Sequence, residues 1–481
     1  MVSVSLRGIT FAFGHQHALF SDVTCEFRPG WTALVGPNGS GKSTLLALIL
    51  GDLEPQVGHV SPVGGCLSRQ NPDFGDVADF AAAWDPESMR WKSWFGLDGL
   101  EPEAWSTLSP GVRRRWAHAA AFAKRPLVLM LDEPTNHLDA QAKVQLARAM
   151  ADFDGVGILI SHDRDFIQQV CSRIIRLNRG QAATYEMALD QAQALWSEQT
   201  ARVKETLDRA QDEMRALSHR LAHDADEHRS AKRQLSVKAR RKNVGDKDAA
   251  SIARKSRAQK AESKLGRAAK LSRAELERAA ARVAELPRPE PAAGKLKLDA
   301  KPAATRWVFD FEGDVWAGDR QLFRAKWALE AGARVWLTGP NGAGKTSLIA
   351  AVTQQRSDCL VLSQVIVREQ VVAAWDDLTA ERRNRTLHIA ATMRLDVTSV
   401  LDGSSLSPGE LRKLALAIGL VMEPILVVLD EPTNDLDMDT IDAVAALVRE
   451  FPGAVVVISH DGAFARRLGL EEVRLRSVMM G

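Results

Sequence analysis

Two eight-residue segments, GPNGSGKS at 36–43 and GPNGAGKT at 339–346, carry the pattern GxxxxGK[ST] between an apolar run and a helical pattern. In that setting glycines let successive backbone N–H groups converge on an anion at the positive end of a helix. The candidate phosphate cradles are Gly36, Asn38, Gly39, Gly41, Lys42, Ser43 and Thr44 in one copy, and Gly339, Asn341, Gly342, Gly344, Lys345, Thr346 and Ser347 in the other. The lysines would reach the outer phosphates and the hydroxyls of Ser43 and Thr346 would bind Mg²⁺. Asp132 and Asp430 end the apolar runs LVLML and ILVVL, where a carboxylate can hold the metal or its water shell. Glu133 and Glu431 come next, placed to orient and polarise a water that attacks a γ-phosphate, with positioning and charge stabilisation doing the rest. One glycine-rich turn, or one Asp-Glu pair after a strand, is ordinarily structural. The same set twice in the same order points to nucleotide hydrolysis.

The set occurs twice because the chain repeats. LSPG recurs at 108 and 406, LDEPTN at 131 and 429, and ISHD at 160 and 458, each pair 298 residues apart, and the glycine loops are offset by 303. Four motifs at a near-constant offset mean duplicated domains with one fold. The apolar runs read as buried parallel strands alternating with helices, so each copy is expected to be an α/β nucleotide-binding core. A smaller, mainly helical insert should lie between the glycine loop and the strand that ends in the aspartate. At 481 residues the chain suits two such domains and a connector. The divisions expected are 1–186, 187–305 and 306–481.

Between the copies, helix formers dominate. Val203, Leu207, Ala210, Met214, Leu217 and Leu221 step by four and three, as in a coiled-coil seam, and Leu265, Ala269, Leu276, Ala280 and Val283 offer a second stripe. Asn243–Asp246 supply a turn, giving an antiparallel hairpin that Pro287, Pro289 and Pro291 stop. Residues 231–270 hold 14 Lys and Arg against three acids, a net +11 suited to a phosphate backbone. Arg240, Arg241, Lys242, Lys247, Arg254, Lys255 and Arg257 lie around the expected tip and are the candidate RNA-binding residues. The stretch has no aromatics, so shape and phosphate contacts are expected rather than base stacking.

Two cassettes in one chain, joined by a charged helical hairpin and carrying EPTNHLD and EPTNDLD, resemble the ABC-F subfamily of ATP-binding-cassette proteins over nearly the whole sequence. The resemblance implies two P-loop cassettes with no transmembrane domain, ATP and Mg²⁺ as cofactors, and an ATPase that closes head to tail within a monomer. By motif it implies that Gln70 and Gln364 sense Mg²⁺ and the attacking water. His162 and His460 would be the switch histidines at the γ-phosphate, with Glu133 and Glu431 as their catalytic partners. Asp139 and Asp437 would couple one site to the other. Ser109 and Gly111 would serve the nucleotide on Lys345, and Ser407 and Gly409 the one on Lys42, through hydroxyl, N–H and helix dipole. Pro110 and Pro408 depart from the usual LSGGQ-like string, and Val112 sits where a polar residue is usual, so the Lys345–Ser109 site is expected to be the weaker hydrolase. Phe13 and Trp316, each 23 residues before its first loop glycine, are the candidate adenine platforms. The resemblance also implies a ribosomal partner, met by the linker near the peptidyl-transferase centre and the P-site tRNA, with antibiotic protection as one possible role.

Composition narrows the alternatives. Lys and Arg exceed Asp and Glu by only 63 to 61, so any attraction to nucleic acid must be local. Cys25, Cys66, Cys171 and Cys359 form no C-x-x-C pair, which argues against a zinc or iron–sulfur site and for reduced, buried thiols. No run approaches membrane-spanning length and the N-terminus lacks a leader pattern, so a cytoplasmic location is expected. Competing classes are the energising subunit of a separate transporter, a DNA-acting ATPase, and a scaffold that traps ATP. The fused cassettes with this linker oppose the first, and two intact Glu/His sets oppose the last.

Overall fold

The computed structural model describes residues 2–14, 18–62, 64–100, 102–240, 273–286, 298, 306–340, 342–354, 356, 358–401 and 406–480, with backbone alone for 103, 104, 224, 227–240 and 480. Met1–Ala192 and Ala293–Gly481 together form one compact unit, and Gln193–Ala292 a second. Both copies of the repeat therefore share a unit.

The first copy contains strands β1 (Val4–Phe11), β2 (Phe20–Phe27), β3 (Gly30–Val35), β4 (Val57–Ser61), β5 (Cys66–Ser68), β6 (Val128–Asp132), β7 (Val156–Ile160), β8 (Arg173–Asn178) and β9 (Gln181–Tyr185). They make an antiparallel sheet in the order β2-β1-β4 and a sheet in the order β5-β6-β7-β3-β8-β9, parallel except for β9. All five residues of β7 are buried, and four of the five in β6. That is why these segments read as unbroken apolar runs rather than alternating ones. Helices α1 (Lys42–Leu50), α2 (Ala78–Ala82), α3 (Pro86–Trp94), α4 (Pro110–Ala123), α5 (Ala140–Ala151) and α6 (Arg164–Val170) fill the connections, α2 to α4 forming the helical insert. The short β5 lies ahead of that insert and was not legible in the apolar pattern.

Aromatic rings build the insert's core. Five of the twelve tryptophans fall at 84, 91, 94, 105 and 116. Trp91 stacks on Phe122 at 5.1 Å and on Phe95 at 6.1 Å, and its Nε1 donates to Glu87. Lys92 is buried with its ammonium donating to the carbonyls of Ala81 and Ala83, and it lies over the rings of Phe80 and Trp84. Cation–π attraction and two carbonyls offset its desolvation.

A long helix, α7 (Leu189–Arg240), leads out of the first copy, and residues 273–285 form α8. In the second unit, Val203, Leu207, Ala210, Met214, Leu217 and Leu221 are the less exposed positions of α7 at the expected steps, with Ala210 buried. On α8 the buried alanine is Ala279 and Ala280 is exposed, which corrects the second stripe. The steps 276, 279 and 283 keep a three-four spacing, whereas two successive steps of four drift off a 3.6-residue turn. Arg282 of α8 pairs with Glu213 of α7.

The second copy contains β10 (Trp307–Ala317), β11 (Arg320–Glu330), β12 (Arg334–Thr338), β13 (Cys359–Leu362), β14 (Leu426–Asp430), β15 (Ala454–Ile458), β16 (Glu471–Arg474) and β17 (Met479–Met480). Its parallel sheet runs β13-β14-β15-β12-β16, the order of β5-β6-β7-β3-β8. Its helices are α9 (Lys345–Thr353), α10 (Arg368–Asp376), α11 (Ala380–Thr392), α12 (Val397–Leu401), α13 (Pro408–Val421), α14 (Met438–Glu450), α15 (Gly462–Leu468) and α16 (Leu475–Val478). Only residues 354–358 separate α9 from β13, too few for a counterpart of β4, and β17 instead joins the free edge of β11. The four thiols are free, Cys25 buried and the other three half-buried. Among the described residues no helix is long and apolar enough to cross a membrane.

Candidate functional site

Each glycine loop turns from a parallel strand into a helix through a left-handed glycine, Gly41 at φ 93° before α1 and Gly344 at φ 94° before α9. A side chain would strain that turn. Gly36, Gly39, Gly339 and Gly342 also have positive φ, and Thr44 and Ser347 lie in the first helical turns. The ammonium of Lys42 donates to the carbonyls of Gly36 and Pro37 at 2.8 and 3.0 Å, and that of Lys345 to Gly339 and Pro340 at 2.7 and 2.9 Å. Each lysine is thus folded back over its own loop. Burial lowers the pKa of both, against the pull of nearby carboxylates. Asn341 lies outside the described residues.

The hydroxyl of Ser43 donates to Asp132 at 3.2 Å, and that of Thr346 to Asp430 at 2.8 Å. Hydroxyl and carboxylate oxygens side by side at the end of a strand fit Mg²⁺, which takes few protein ligands and completes its shell with phosphate and water. Among the described residues no group of three or more His, Cys, Asp and Glu gathers to hold a metal. Burial raises the pKa of both aspartates.

Glu133 and Glu431 sit at φ 49° and 46°, a strained left-handed turn immediately after β6 and β14. Their N–H groups donate to Ile160 and Ile458, both at 2.8 Å, which pins each turn to the neighbouring strand. Burial, reinforced by Asp132, pushes the Glu133 carboxyl well above its usual range, and burial pushes Glu431 up to about 7. His162 and His460 lie with Nε2 3.3 and 3.6 Å from these carboxylates, and their backbone N–H groups donate to the same side chains. Burial holds both imidazoles low, His460 at about 4, so the contacts are between a carboxyl and a neutral ring. Glu133 Oε1 and His162 Nδ1 are buried without a hydrogen-bond partner.

The two copies meet head to tail around these groups. Asp437 accepts from the backbone N–H of Asn38 at 2.9 Å, and the carbonyl of Asp435 accepts from the Asn38 side chain at 3.0 Å. Burial alone would raise Asp437, but hydrogen bonds from Thr440 and Asn38 outweigh it and lower the pKa. Gln70 donates to Asp435 Oδ1 at 3.3 Å, and Gln364 lies 3.0 Å from His137 Nδ1. Asp139 caps α5 and lies close enough to Lys345 and His460 to act on both electrostatically. Ser109 and Ser407 cap α4 and α13, and only Ser407 forms a capping box, its hydroxyl donating to Glu410. Gly111 and Gly409 lie so near the carbonyls of His137 and Asp435 that a Cβ would come within 2.6 and 2.5 Å, and Gly409 also faces Asn38.

Some contacts had no signal in sequence. Lys143 pairs with Asp163 at 2.6 Å and donates to the carbonyl of His460 at 3.4 Å, and Arg164 reaches Met438 and Asp442. Buried Arg114 and Arg412 donate to the carbonyls of Glu133 and Glu431. Their shared place six residues after the first leucine of LSPG was the available hint. Phe13 and Trp316 are each half-exposed, at 50%, but Phe13 immediately precedes a turn glycine, Gly14, whereas Trp316 lies on β10, two before Gly318. Of the candidate RNA-binding residues, Arg240 is the last of α7 with only its backbone described, and Arg241, Lys242, Lys247, Arg254, Lys255 and Arg257 lie outside the described residues.

The family described as ABC transporter matches residues 20–136 and 322–434. The ATP-binding protein Uup of Caulobacter vibrioides is 31% identical, over 98% of this chain and 77% of its own length. The energy-dependent translational throttle protein EttA of Escherichia coli (strain K12) is 27% identical, over 94% of this chain and 88% of its own. Among solved structures, the complex of archaeal ribosomal stalk protein aP1 with the archaeal ribosome recycling factor aABCE1 matches with a TM-score of 0.59. The match spans 97% of this chain and 87% of that one at 15% identity, a likeness of fold.

Proposed function

This chain belongs to the ABC-F family of tandem-cassette ATP-binding proteins, and from that membership we propose that it is a translation factor whose ATP-closed state binds the ribosome through the linker. It is an ATPase with two cassettes. The observation that carries the reading is the contact of Asp435 and Asp437 with Asn38 and Gln70, which puts the residues that follow one copy's LDEPTN on the other copy's glycine loop and glutamine. Closure across that contact would complete each site only when nucleotide is held. The ribosomal part is supported by likeness to a translational throttle over nearly the whole chain, linker included.

In this reading Lys42 and Lys345 leave their loop carbonyls for the β- and γ-phosphates. Ser407 and Gly409 close over the first nucleotide, and Ser109 and Gly111 over the second. Glu133 and Glu431 orient the attacking water, with His162 and His460 at the γ-phosphate. When bound, Mg²⁺ would neutralise phosphate charge, held by Ser43, Asp132 and Gln70 in one site and by Thr346, Asp430 and Gln364 in the other. The cation would favour the ionised form of Asp132 and Asp430, against the upward push of burial. Phe13 and Trp316 offer faces for the adenines, and the basic 231–270 segment would meet rRNA and the P-site tRNA.

The test is ribosome co-sedimentation of the Glu133→Gln/Glu431→Gln variant with ATP, against ADP and against a form lacking 231–270. ATP-dependent trapping that needs the basic segment is expected. Equal sedimentation in all three overturns the ribosomal reading and leaves the ATPase. Tighter binding to duplex DNA than to ribosomes at matched salt would favour a DNA-acting ATPase. Protection against antibiotics is the narrower form of the proposal, tested by translation in drug with and without the protein.

A further inference from the structure

The residue after each candidate switch histidine is an aspartate, Asp163 in the first copy and Asp461 in the second, and each caps the helix that follows. Among the described residues only Asp163 has a basic side chain within ion-pair distance. Lys143 Nζ lies 2.6 Å from one of its oxygens, while the other accepts from the Phe166 N–H. The same ammonium donates across the interface to the carbonyl of His460 at 3.4 Å. One cation thus bridges the loop that carries His162 and the loop that carries His460. The residue 298 positions on, Ile441, lines the same cavity of about 30 Å³ between the copies, together with Lys143, both histidines and Glu431. A hydrocarbon side chain can neither pair with Asp461 nor donate to the carbonyl of His162, so the bridge is made from one side only. Lys143 and Asp163 are mostly buried, with side chains 17% and 13% exposed. Exchanging so buried a pair for hydrocarbon is commonly neutral or favourable, so stability alone does not account for a lysine where the second copy keeps isoleucine. The charge of Lys143 also reaches Glu431, His460 and Asp461 of the second copy. The cations that act most strongly on Glu133 and His162 are Lys42, Arg114 and Arg164, all of the first copy.

We propose that Lys143 is a positioning residue acting in trans, which ties the histidine loops of the two ATP sites together and holds the His460 loop in place when the copies close. This rests on the ATPase with two composite sites set out above. A carbonyl fixed by a charged donor sets the direction of the backbone that carries the His460 ring, and so its approach to Glu431. Removing the donor leaves the site assembled with its histidine loop less often in place, which lowers kcat and spares KM. One hydrogen bond from a charged donor corresponds to about 10-fold.

The experiment uses the full chain carrying Glu133→Gln/Glu431→Gln, with ATP present, and follows amide hydrogen exchange in peptides covering 161–165, 459–463 and the two glycine loops. Lys143→Ile, which puts the second copy's residue into the first, should speed exchange at 459–463 by about 10-fold and raise it at 161–165, with the glycine loops unchanged. Lys143→Ile/Ile441→Lys rebuilds the bridge from the other side, between Asp461 and the carbonyl of His162, and should restore protection of both loops. In the chain with both glutamates intact, Lys143→Ile should lower kcat by about 3- to 10-fold while KM for ATP stays within about twofold. Circular dichroism checks folding, and Lys143→Gln is read in the same way where Lys143→Ile does not fold. Unchanged exchange at 459–463 makes Lys143 a partner of Asp163 alone and overturns the proposal. An equal rise in the glycine loops makes it a general brace of the interface and overturns it too, as does an unchanged kcat. Turnover of the unsubstituted chain is measured in parallel, and a chain without it fails the ATPase reading itself, whatever the exchange shows.

Discussion

The first cassette keeps a hydrogen-bonded polar pair in its core where the second keeps hydrocarbon. Ser68 Oγ lies 2.9 Å from His118 Nδ1, and His118 Nε2 lies 3.1 Å from the carbonyl of Pro134, all within buried surroundings. The corresponding positions of the second copy, one on β13 and one on α13, are Leu362 and Leu416, each at most 2% exposed. The same sheet order tolerates both because a buried polar pair is sustained when every group has a partner, and an apolar pair needs none. A similar contrast holds at the interface, where Lys143 of the first copy, paired with Asp163 of the same copy, donates to the carbonyl of His460 in the second, and its counterpart by the 298-residue offset is buried Ile441. Duplication preserved the backbone and the glycine loops, while the contacts between copies diverged.

The largest expected effect sharpens the comparison at the chemistry. Glu133→Gln/Glu431→Gln should lower ATP turnover by about 100-fold or more. Of the single variants, Glu133→Gln, which relies on the Lys345–Ser109 site, should retain the lower rate. Equal residual rates would break the expected asymmetry, and the Ser407 hydroxyl held by Glu410 is one reason the comparison must be measured.

The next effect is the acid sensitivity that the buried Ser68–His118 pair adds to the first cassette. Burial, helped by Arg114, holds His118 down at about 3 against 6.5 for a free imidazole. The unfolded ring takes up a proton below 6.5 while the folded ring resists to about 3. His118 therefore contributes fully above that window, and its contribution is lost as pH falls through it. Between pH 7.5 and 4.5 the loss from this residue should be roughly 3 kcal/mol. Urea unfolding at the two pH values should show a loss larger by that amount in the parent than in Ser68→Leu/His118→Leu, which keeps the buried His162 and His460. Ser68→Leu alone should cost about 1 to 3 kcal/mol at pH 7.5, since His118 Nδ1 loses its partner.

Lys143→Met should cost about 2 kcal/mol, because Asp163 and the ammonium are both mostly buried. A cost within error in thermal unfolding would mean that neither the Asp163 pair nor the hydrogen bond to the His460 carbonyl across the interface contributes. Arg466→Ala is the smallest effect. Its pair with Asp165 crosses the same interface at 2.6 Å with both side chains more than half exposed, so less than about 1 kcal/mol is expected, vanishing at high salt.

Much of each site was legible because its parts are local. A glycine loop, its lysine and its hydroxyl lie within eight residues, and a carboxylate at the end of an apolar run sits at a strand's edge by the geometry of the strand alone. The seam of α7 followed from spacing on one helix, whereas Ala280 was misplaced by one residue because Ser272 interrupts the second stripe. The short β4 and β5 escaped since three to five residues are too few to show a period.

By itself, then, the sequence determined the duplication, the order of the nucleotide-handling groups and the basic character of the linker, all of which are properties of neighbours along the chain or of fixed offsets. Tertiary structure decided that Asn38 meets Asp437 across 399 residues, that Gln70 and Gln364 face chemically different partners, and that His118 stays neutral beside Ser68. No local period encodes such pairs. They arise where two folded surfaces close on each other, and there burial sets both the partner of each polar atom and the charge it can carry.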